Sequence, residues 1–234
     1  MRVIGLIGGM SWESSAEYYR ILNEEIKARL GGFHSARCVM ISVDFQEVET
    51  LQPRGSWDEA ARVLCNAAVN AEKAGAQCLL LCTNTMHRVA DQIQEAVTIP
   101  FFHIADATAE SVVEKGIAQV GLLGTKYTME GEFYTDRLSN KYDLEVLIPD
   151  DSARDFVHEV IYEELCLGKI LDQSKRRFLS IIEELTARGA EGIILGCTEI
   201  PLLIQERDTP VPLFDTTRIH AEKAVAFSLC DTLK

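Results

Sequence analysis

The chain has no run of about 18 consecutive apolar residues, so no segment reads as a membrane-spanning helix. The apolar run within MRVIGLIGGM is too short for a signal-peptide core, and no cleavage site follows it. It lacks a Cys-x-x-Cys pair and any Cys/His spacing of a zinc site, although it carries seven cysteines. These are Cys38, Cys65, Cys78, Cys82, Cys166, Cys197 and Cys230, an odd number, several of them inside apolar segments. That usage fits a reducing cytoplasm and mostly structural thiols. Basic residues are few, with 23 Lys and Arg against 36 Asp and Glu and a net charge of −13. The imbalance excludes nucleic acid and anionic membranes as partners. An anionic small molecule would need local donors, such as helix N-termini and backbone N–H groups. The dinucleotide spacing G-x-G-x-x-G is also missing, and Asp44 lies 39 residues past Gly5 rather than about 20.

What is present is a composition of 47% hydrophobic and 25% charged residues in 234, that of a soluble globular protein of one or two domains. The chain also repeats itself. Gly75–His87 reads GAQCLLLCTNTMH and Gly189–Pro201 reads GAEGIILGCTEIP. Each runs Gly-Ala, a polar residue, an apolar strand, then a turn rich in hydroxyl or thiol groups that opens a helix. Thr83 and Cys197 both stand eight residues after their glycine. An offset of 116 places Gly5 on Gly121, Gly8 on Gly124, Tyr18 on Tyr134 and Leu22 on Leu138. Residues Ile99–Phe102 reappear as Val211–Phe214 at an offset of 112. A period of that size suits a duplicated domain rather than a solenoid.

Strands are expected at 2–7, 39–43, 78–82, 101–104, 119–123, 145–148, 192–195 and 211–214. Helices are expected at 14–30, 57–73, 86–96, 153–164 and 171–188, and residues 47–57 read as a polar loop. The alternation predicts an α/β fold of two pseudo-symmetric lobes, each with a mainly parallel sheet flanked by helices and with the active site in the cleft between them. The expected lobes are 1–100 plus 211–234, and 101–210. Ligands of such sheets bind beyond the carboxyl ends of the strands. The turns there are Gly8–Ser11, Thr83–Thr85, Gly124–Thr128 and Cys197–Glu199.

A thiol at a helix N-terminus is favoured as thiolate, so Cys197 is a candidate acid/base group and Thr83 its counterpart. Two such groups on opposite sides of one site suit inversion of a carbon centre, because a proton must leave one face and arrive at the other. The carbanion-like intermediate needs its carboxylate held by N–H and hydroxyl donors, which Asn84, Thr85 and Thr198 offer. Candidate contacts from the other turns are Met10, Ser11, Thr125, Thr128 and Glu199, the last also placed to orient or deprotonate Cys197. Thr83, Asn84, Thr85 and Thr198 can equally act as helix caps. Cys82 points to the opposite face of its strand and belongs to the core. Trp12 and Tyr18 read as packing residues, and His87, His103 and His220 as structural partners.

GLIGGMSWESSAEYY (5–19), CTNTMH (82–87), FFHIADAT (101–108), GLLGT (121–125), YEELCLGK (162–169), GCTEIP (196–201) and FDTTRIHA (214–221) together resemble the cofactor-independent aspartate/glutamate racemases over essentially the whole chain. Glu199 in GCTEI is similar to the aspartate-racemase branch. The resemblance implies two bases, no pyridoxal phosphate, no metal, an amino-acid substrate and a homodimer. It assigns the C-terminal Cys to the L face and the N-terminal group to the D face. Here that first Cys is Thr83, a poor base, so L-to-D conversion is expected to be faster than D-to-L. Aspartate-specific relatives carry an Arg in the loop after strand two, where Gln52 is the candidate position. They also carry a Lys where Leu167 stands, so a broader substrate set joins aspartate and glutamate. Alternatives on the same scaffold are a decarboxylase, a maleate-type isomerase or a hydantoin racemase; a different class is a catalytically inactive amino-acid-binding module. A Cys hydrolase would need a His that no motif places beside Cys197.

Overall fold

The computed structural model describes residues 1–230. The first half of the chain runs β1 (Ile4–Gly8), α1 (Trp12–Leu30), β2 (Cys38–Ser42), α2 (Phe45–Leu51), α3 (Trp57–Lys73) and β3 (Cys78–Leu81). A 3-10 turn (Thr85–Val89), α4 (Ala90–Ala96), β4 (Phe101–Phe102) and α5 (Ile104–Glu114) follow. The second half runs β5 (Gln119–Gly124), α6 (Lys126–Met129), α7 (Glu132–Tyr142), β6 (Glu145–Leu147), α8 (Asp151–Glu163) and a 3-10 turn (Leu165–Leu167). It ends with α9 (Asp172–Ala187), β7 (Gly192–Gly196), α10 (Ile200–Leu203), a 3-10 turn (Glu206–Asp208), β8 (Leu213–Asp215) and α11 (Thr216–Leu229).

The strands form two four-stranded sheets, ordered β2-β1-β3-β4 and β6-β5-β7-β8. Every pairing is parallel. The two orders are the same permutation, so the repeat seen in the sequence is a repeat of topology. The glycines that open each copy have one job: Gly75 and Gly189 follow α3 and α9 at φ 97° and 108°, a left-handed conformation that ends a helix without penalty only for glycine.

In the first sheet alternate residues face opposite ways. Ile7, Leu79 and Leu81 pack with Ala60, Leu64, Ala67, Ala68 and Ala71 of α3. Ile4, Leu6, Cys78, Leu80 and Cys82 pack with Tyr18, Ile21, Leu22 and Ile26 of α1 and with Ala221, Ala224, Val225 and Leu229 of α11. Both faces are covered, as near-continuous apolar strands require. Burial pushes the Cys82 thiol strongly up, as suits a core residue.

The chain divides into one compact unit of residues 1–104 with 217 onward and a second of residues 105–216. This differs from the expected lobes at both boundaries. β4 pairs with β3, through Leu79↔Phe101 and Leu80↔Phe102, so it belongs to the first sheet. β8 pairs with β7, through Ile193↔Leu213, Ile194↔Phe214 and Leu195↔Asp215, and completes the second. Only the helices cross over: α5 after β4 belongs to the second unit, and α11 after β8 to the first. Residues 231–234 of the expected first lobe lie outside the described residues.

Three local expectations change as well. The expected polar loop at 47–57 begins as α2, because the Asp44 side chain accepts from the Gln46 N–H and caps it. Phe45, Val48 and Leu51 then face the first core cluster. The expected helix 86–96 is a 3-10 turn followed by α4. Trp12, the first residue of α1, is exposed rather than packed, whereas Tyr18 is fully buried.

Candidate active site

In the first unit the candidate residues lie beyond the ends of β1 and β3, which are hydrogen-bonded neighbours. Gly9 leads out of β1 with φ 97°, and a Cβ there would sit 2.1 Å from the Val43 carbonyl oxygen. Only glycine lets the turn cross the end of β2 so closely. Ser11 is the N-cap of α1 and accepts from the Ser14 N–H at 3.3 Å. The Ser14 hydroxyl lies 3.0 Å from both the Ser11 and the Cys82 carbonyl oxygens and shares its one proton between them. It thereby fastens the β1 turn to the residue before Thr83. The Ser15 hydroxyl accepts from the Gly9 N–H at 2.8 Å and donates to the Ser11 carbonyl at 2.9 Å. The sequence reading did not single out Ser14 and Ser15; two serines one turn after a Ser cap were the available signal.

Thr83, Asn84 and Thr85 are all buried. Thr83 keeps 8% of its surface exposed, as does Cys197. The Thr83 backbone N–H bonds the Leu81 carbonyl at 2.9 Å and its carbonyl bonds His87 Nδ1 at 2.8 Å. Asn84 stands at the N-cap position of the 3-10 turn, but no side-chain capping bond is made there. Gln52 was expected in a polar loop, as a candidate substrate contact. It lies instead at the C-terminal end of α2, buried, with its amide nitrogen donating to the Met86 sulfur at 3.3 Å. Met10 is buried within the first core cluster. The first unit thus brings Met10, Ser11, Gln52, Thr83, Asn84 and Thr85 to one end of its sheet.

In the second unit Thr125 and Thr128 follow β5, and Cys197, Thr198 and Glu199 follow β7. These strands pair as far as Gly124↔Gly196, so both turns leave the sheet side by side. Thr125 caps α6, accepting from the Thr128 N–H at 3.3 Å, and the two hydroxyls lie 3.2 Å apart. The arrangement mirrors Ser11 and Ser14. Leu167 is exposed on the turn Leu165–Leu167.

Cys197 is the point at which the expected electrostatics fail. Its thiol donates to the Glu199 carboxylate at 2.9 Å, and the Thr198 hydroxyl donates to the same oxygen at 2.8 Å. Burial first, then the charge of Glu199, then Cys166, push the thiol well above its ordinary value. The expected lowering by a helix N-terminus is overridden. α10 is a single turn of four residues, and Glu199 itself occupies the N-cap position. The favourable place for a negative charge is therefore held by the carboxylate, and the thiol beside it rests protonated.

His87 and His220 join backbone groups, and the His103 ring packs against His87. His220 Nε2 bonds the Phe102 carbonyl at 2.7 Å, and its Nδ1 meets the Tyr18 hydroxyl at 2.8 Å. Burial holds His220 down at about 3, so it is neutral. Among the described residues no group of three or more His, Cys, Asp or Glu side chains is placed to hold a metal ion. No described helix is long and apolar enough to cross a membrane.

A family model described as Asp/Glu/hydantoin racemase matches residues 7–224. The chain is similar to a solved structure from Yersinia pestis described provisionally as an Asp/Glu racemase. It is 52% identical with a TM-score of 0.92, covering 98% of this chain and 100% of that one. It is also similar to an aspartate racemase homologue from Pyrococcus horikoshii OT3. There the identity is 36% and the TM-score 0.84, over 97% of this chain and 99% of that one. Among curated proteins, the broad specificity amino-acid racemase RacX of Bacillus subtilis (strain 168) is 24% identical over 169 residues, 72% of each chain.

Proposed function

The chain belongs to the Asp/Glu/hydantoin racemase family, whose racemases are isomerases, and from that premise we propose that it racemises amino acids with its own side chains as acid and base. The observation that carries the reading is the Cys197–Glu199 bond of 2.9 Å, a thiol with a proton acceptor already in contact at a strand end. Glu199 takes the thiol proton, and the Cys197 thiolate then removes the α-proton of an L-amino acid. The Thr83 hydroxyl delivers a proton to the opposite face and regains one from solvent, and Glu199 releases the proton it took to solvent. Threonine forms no stable anion near neutral pH, so the reverse abstraction is slow. The substrate carboxylate is held by Asn84, Thr85 and Thr198, with Met10, Ser11, Thr125 and Thr128 completing the surroundings. No pyridoxal phosphate or metal enters this scheme.

Aspartate and glutamate are the favoured substrates, with neutral amino acids accepted alongside them. Two features support that breadth. Gln52 is a neutral amide engaged with Met86, and Leu167 is a hydrocarbon. The broad specificity stated for the Bacillus subtilis relative agrees with it. We place the enzyme in the cytoplasm and take a homodimer as its working form, which the exposed Trp12, Tyr19, Leu202 and Leu167 side chains favour.

The test is α-proton exchange in heavy water over a panel of L- and D-amino acids, with Cys197→Ala as control. Exchange with at least one acidic amino acid, abolished in the variant, is the expected result. Exchange undiminished in Cys197→Ala, or carbon dioxide release in place of racemisation, would contradict the proposal.

A further inference from the structure

We infer that His87 is a positioning residue that locks the Thr83 turn to the backbone of Ile104, where the chain leaves the first unit. The inference rests on the role given to Thr83 above and extends it to a residue that touches no reacting atom.

His87 is buried, and both of its ring nitrogens are engaged with main-chain groups. The Ile104 N–H donates to Nε2 at 3.1 Å. Nε2 therefore presents its lone pair, and the proton of the neutral ring resides on Nδ1. That N–H donates to the Thr83 carbonyl at 2.8 Å. One flat ring thus spans from the turn after β3 to the first residue of α5. The rings of His103, Phe101 and His220 pack around it, with centroids 4.6, 5.5 and 5.7 Å away. Ile104 is the last residue of the first unit before the chain crosses to the second.

The second half is built differently at this point. The offset of 114 that superposes Thr83 on Cys197 superposes His87 on Pro201, which has no side-chain group to donate or accept. There the turn is organised by Glu199, which bonds the thiol directly. In the first half the strut instead holds the backbone of the proposed proton donor. A weak acid such as a threonine hydroxyl can deliver a proton only from a fixed position, and displacement by about 1 Å costs on the order of 10²-fold in such a step.

Two substitutions separate the two ends of the strut. His87→Asn puts an amide nitrogen where Nδ1 stands and keeps the bond to Thr83. His87→Gln reaches the place of Nε2, keeps an acceptor for Ile104 and loses the bond to Thr83. The reaction is run in heavy water from the L-amino acid, and deuterium is counted separately in recovered L substrate and in D product. With Thr83 displaced, the carbanion is re-protonated from the Cys197 side, so the ratio of exchange with retention to inversion rises. We expect a rise of roughly ten-fold in His87→Gln and His87→Ala, and a near wild-type ratio in His87→Asn. The nitrogen shifts of His87 should report a neutral Nδ1–H ring in the wild-type chain. A parallel fall of exchange and inversion, an unchanged ratio in His87→Gln, or an Nε2–H ring would overturn the inference. A wild-type chain that exchanges no α-proton at all would remove the racemase reading, and His87's catalytic consequence with it. Exchange in the wild type with an unmoved ratio in His87→Gln would remove the positioning role alone.

Discussion

Cys197 and Thr83 occupy equivalent places at two strand ends, yet their neighbours treat them differently. The thiol is held by its side chain, through Glu199; Thr83 is held by its backbone, through His87. The first arrangement raises the thiol's affinity for its proton while placing an acceptor in contact with it. Glu199→Gln separates these effects. If the carboxylate is the acceptor, the variant loses about 10²–10⁴-fold of L-directed exchange at neutral pH, the usual size of a general-base contribution. If Glu199 acted only through its charge, its removal would ease ionisation of Cys197. Activity would then persist, with its pH profile moved to lower pH. At this scale the sequence showed which side chains stand at strand ends, because the repeat aligns them. It did not show the electrostatics of Cys197, which depend on burial and on a one-turn helix too short to outweigh the carboxylate at its cap.

Between elements, His87 and His220 act as fasteners, and His220 gives that role a pH signature. It joins Tyr18 of α1 to the Phe102 carbonyl of β4 from its place on α11. Its folded-state value of about 3 lies below the ordinary 6.5, so the unfolded chain binds a proton that the folded chain refuses. Its contribution to stability is therefore complete above pH 6.5 and is lost progressively as pH falls toward 3. From pH 7 to pH 5 that loss is about 2 kcal/mol. Denaturant midpoints at the two pH values should show it in the wild-type chain, and His220→Gln should reduce the difference by that amount. An equal acid sensitivity in both chains would place the proton elsewhere. Helices α1 and α3 were legible because Tyr18, Ile21, Leu22 and Ile26, and the alanines of α3, recur on one face. Helix α2 was not, because Pro53-Arg54-Gly55 marks a loop that begins only after Gln52. The cap at Asp44 was the overlooked cue.

For the molecule as a whole, the duplication was readable from the glycines and strand ends, and the two sheets follow the same permutation. The expected lobes already put α5 in the second unit and α11 in the first; what they missed is that β4 and β8 each stay in the sheet of the strand before them. Strands of two and three residues carry too little periodicity to show which neighbour they pair with. Pairing assigns Phe101–Phe102 to the first sheet and Leu213–Asp215 to the second. On the roles proposed for Thr83 and Cys197, the two faces of one carbon meet unlike groups and exchange their protons unequally. The enantiomers have equal free energy, so kcat/KM for inversion is the same in both directions, and the inequality lies in α-proton exchange, which also counts protons returned to the face they left. The decisive measurement is the initial rate of deuterium incorporation at the α-carbon from pure L- and from pure D-aspartate or glutamate in heavy water. The account predicts faster incorporation from the L enantiomer, with the D-directed rate rising when Thr83 is replaced by Cys. Equal initial rates from the two enantiomers would contradict it.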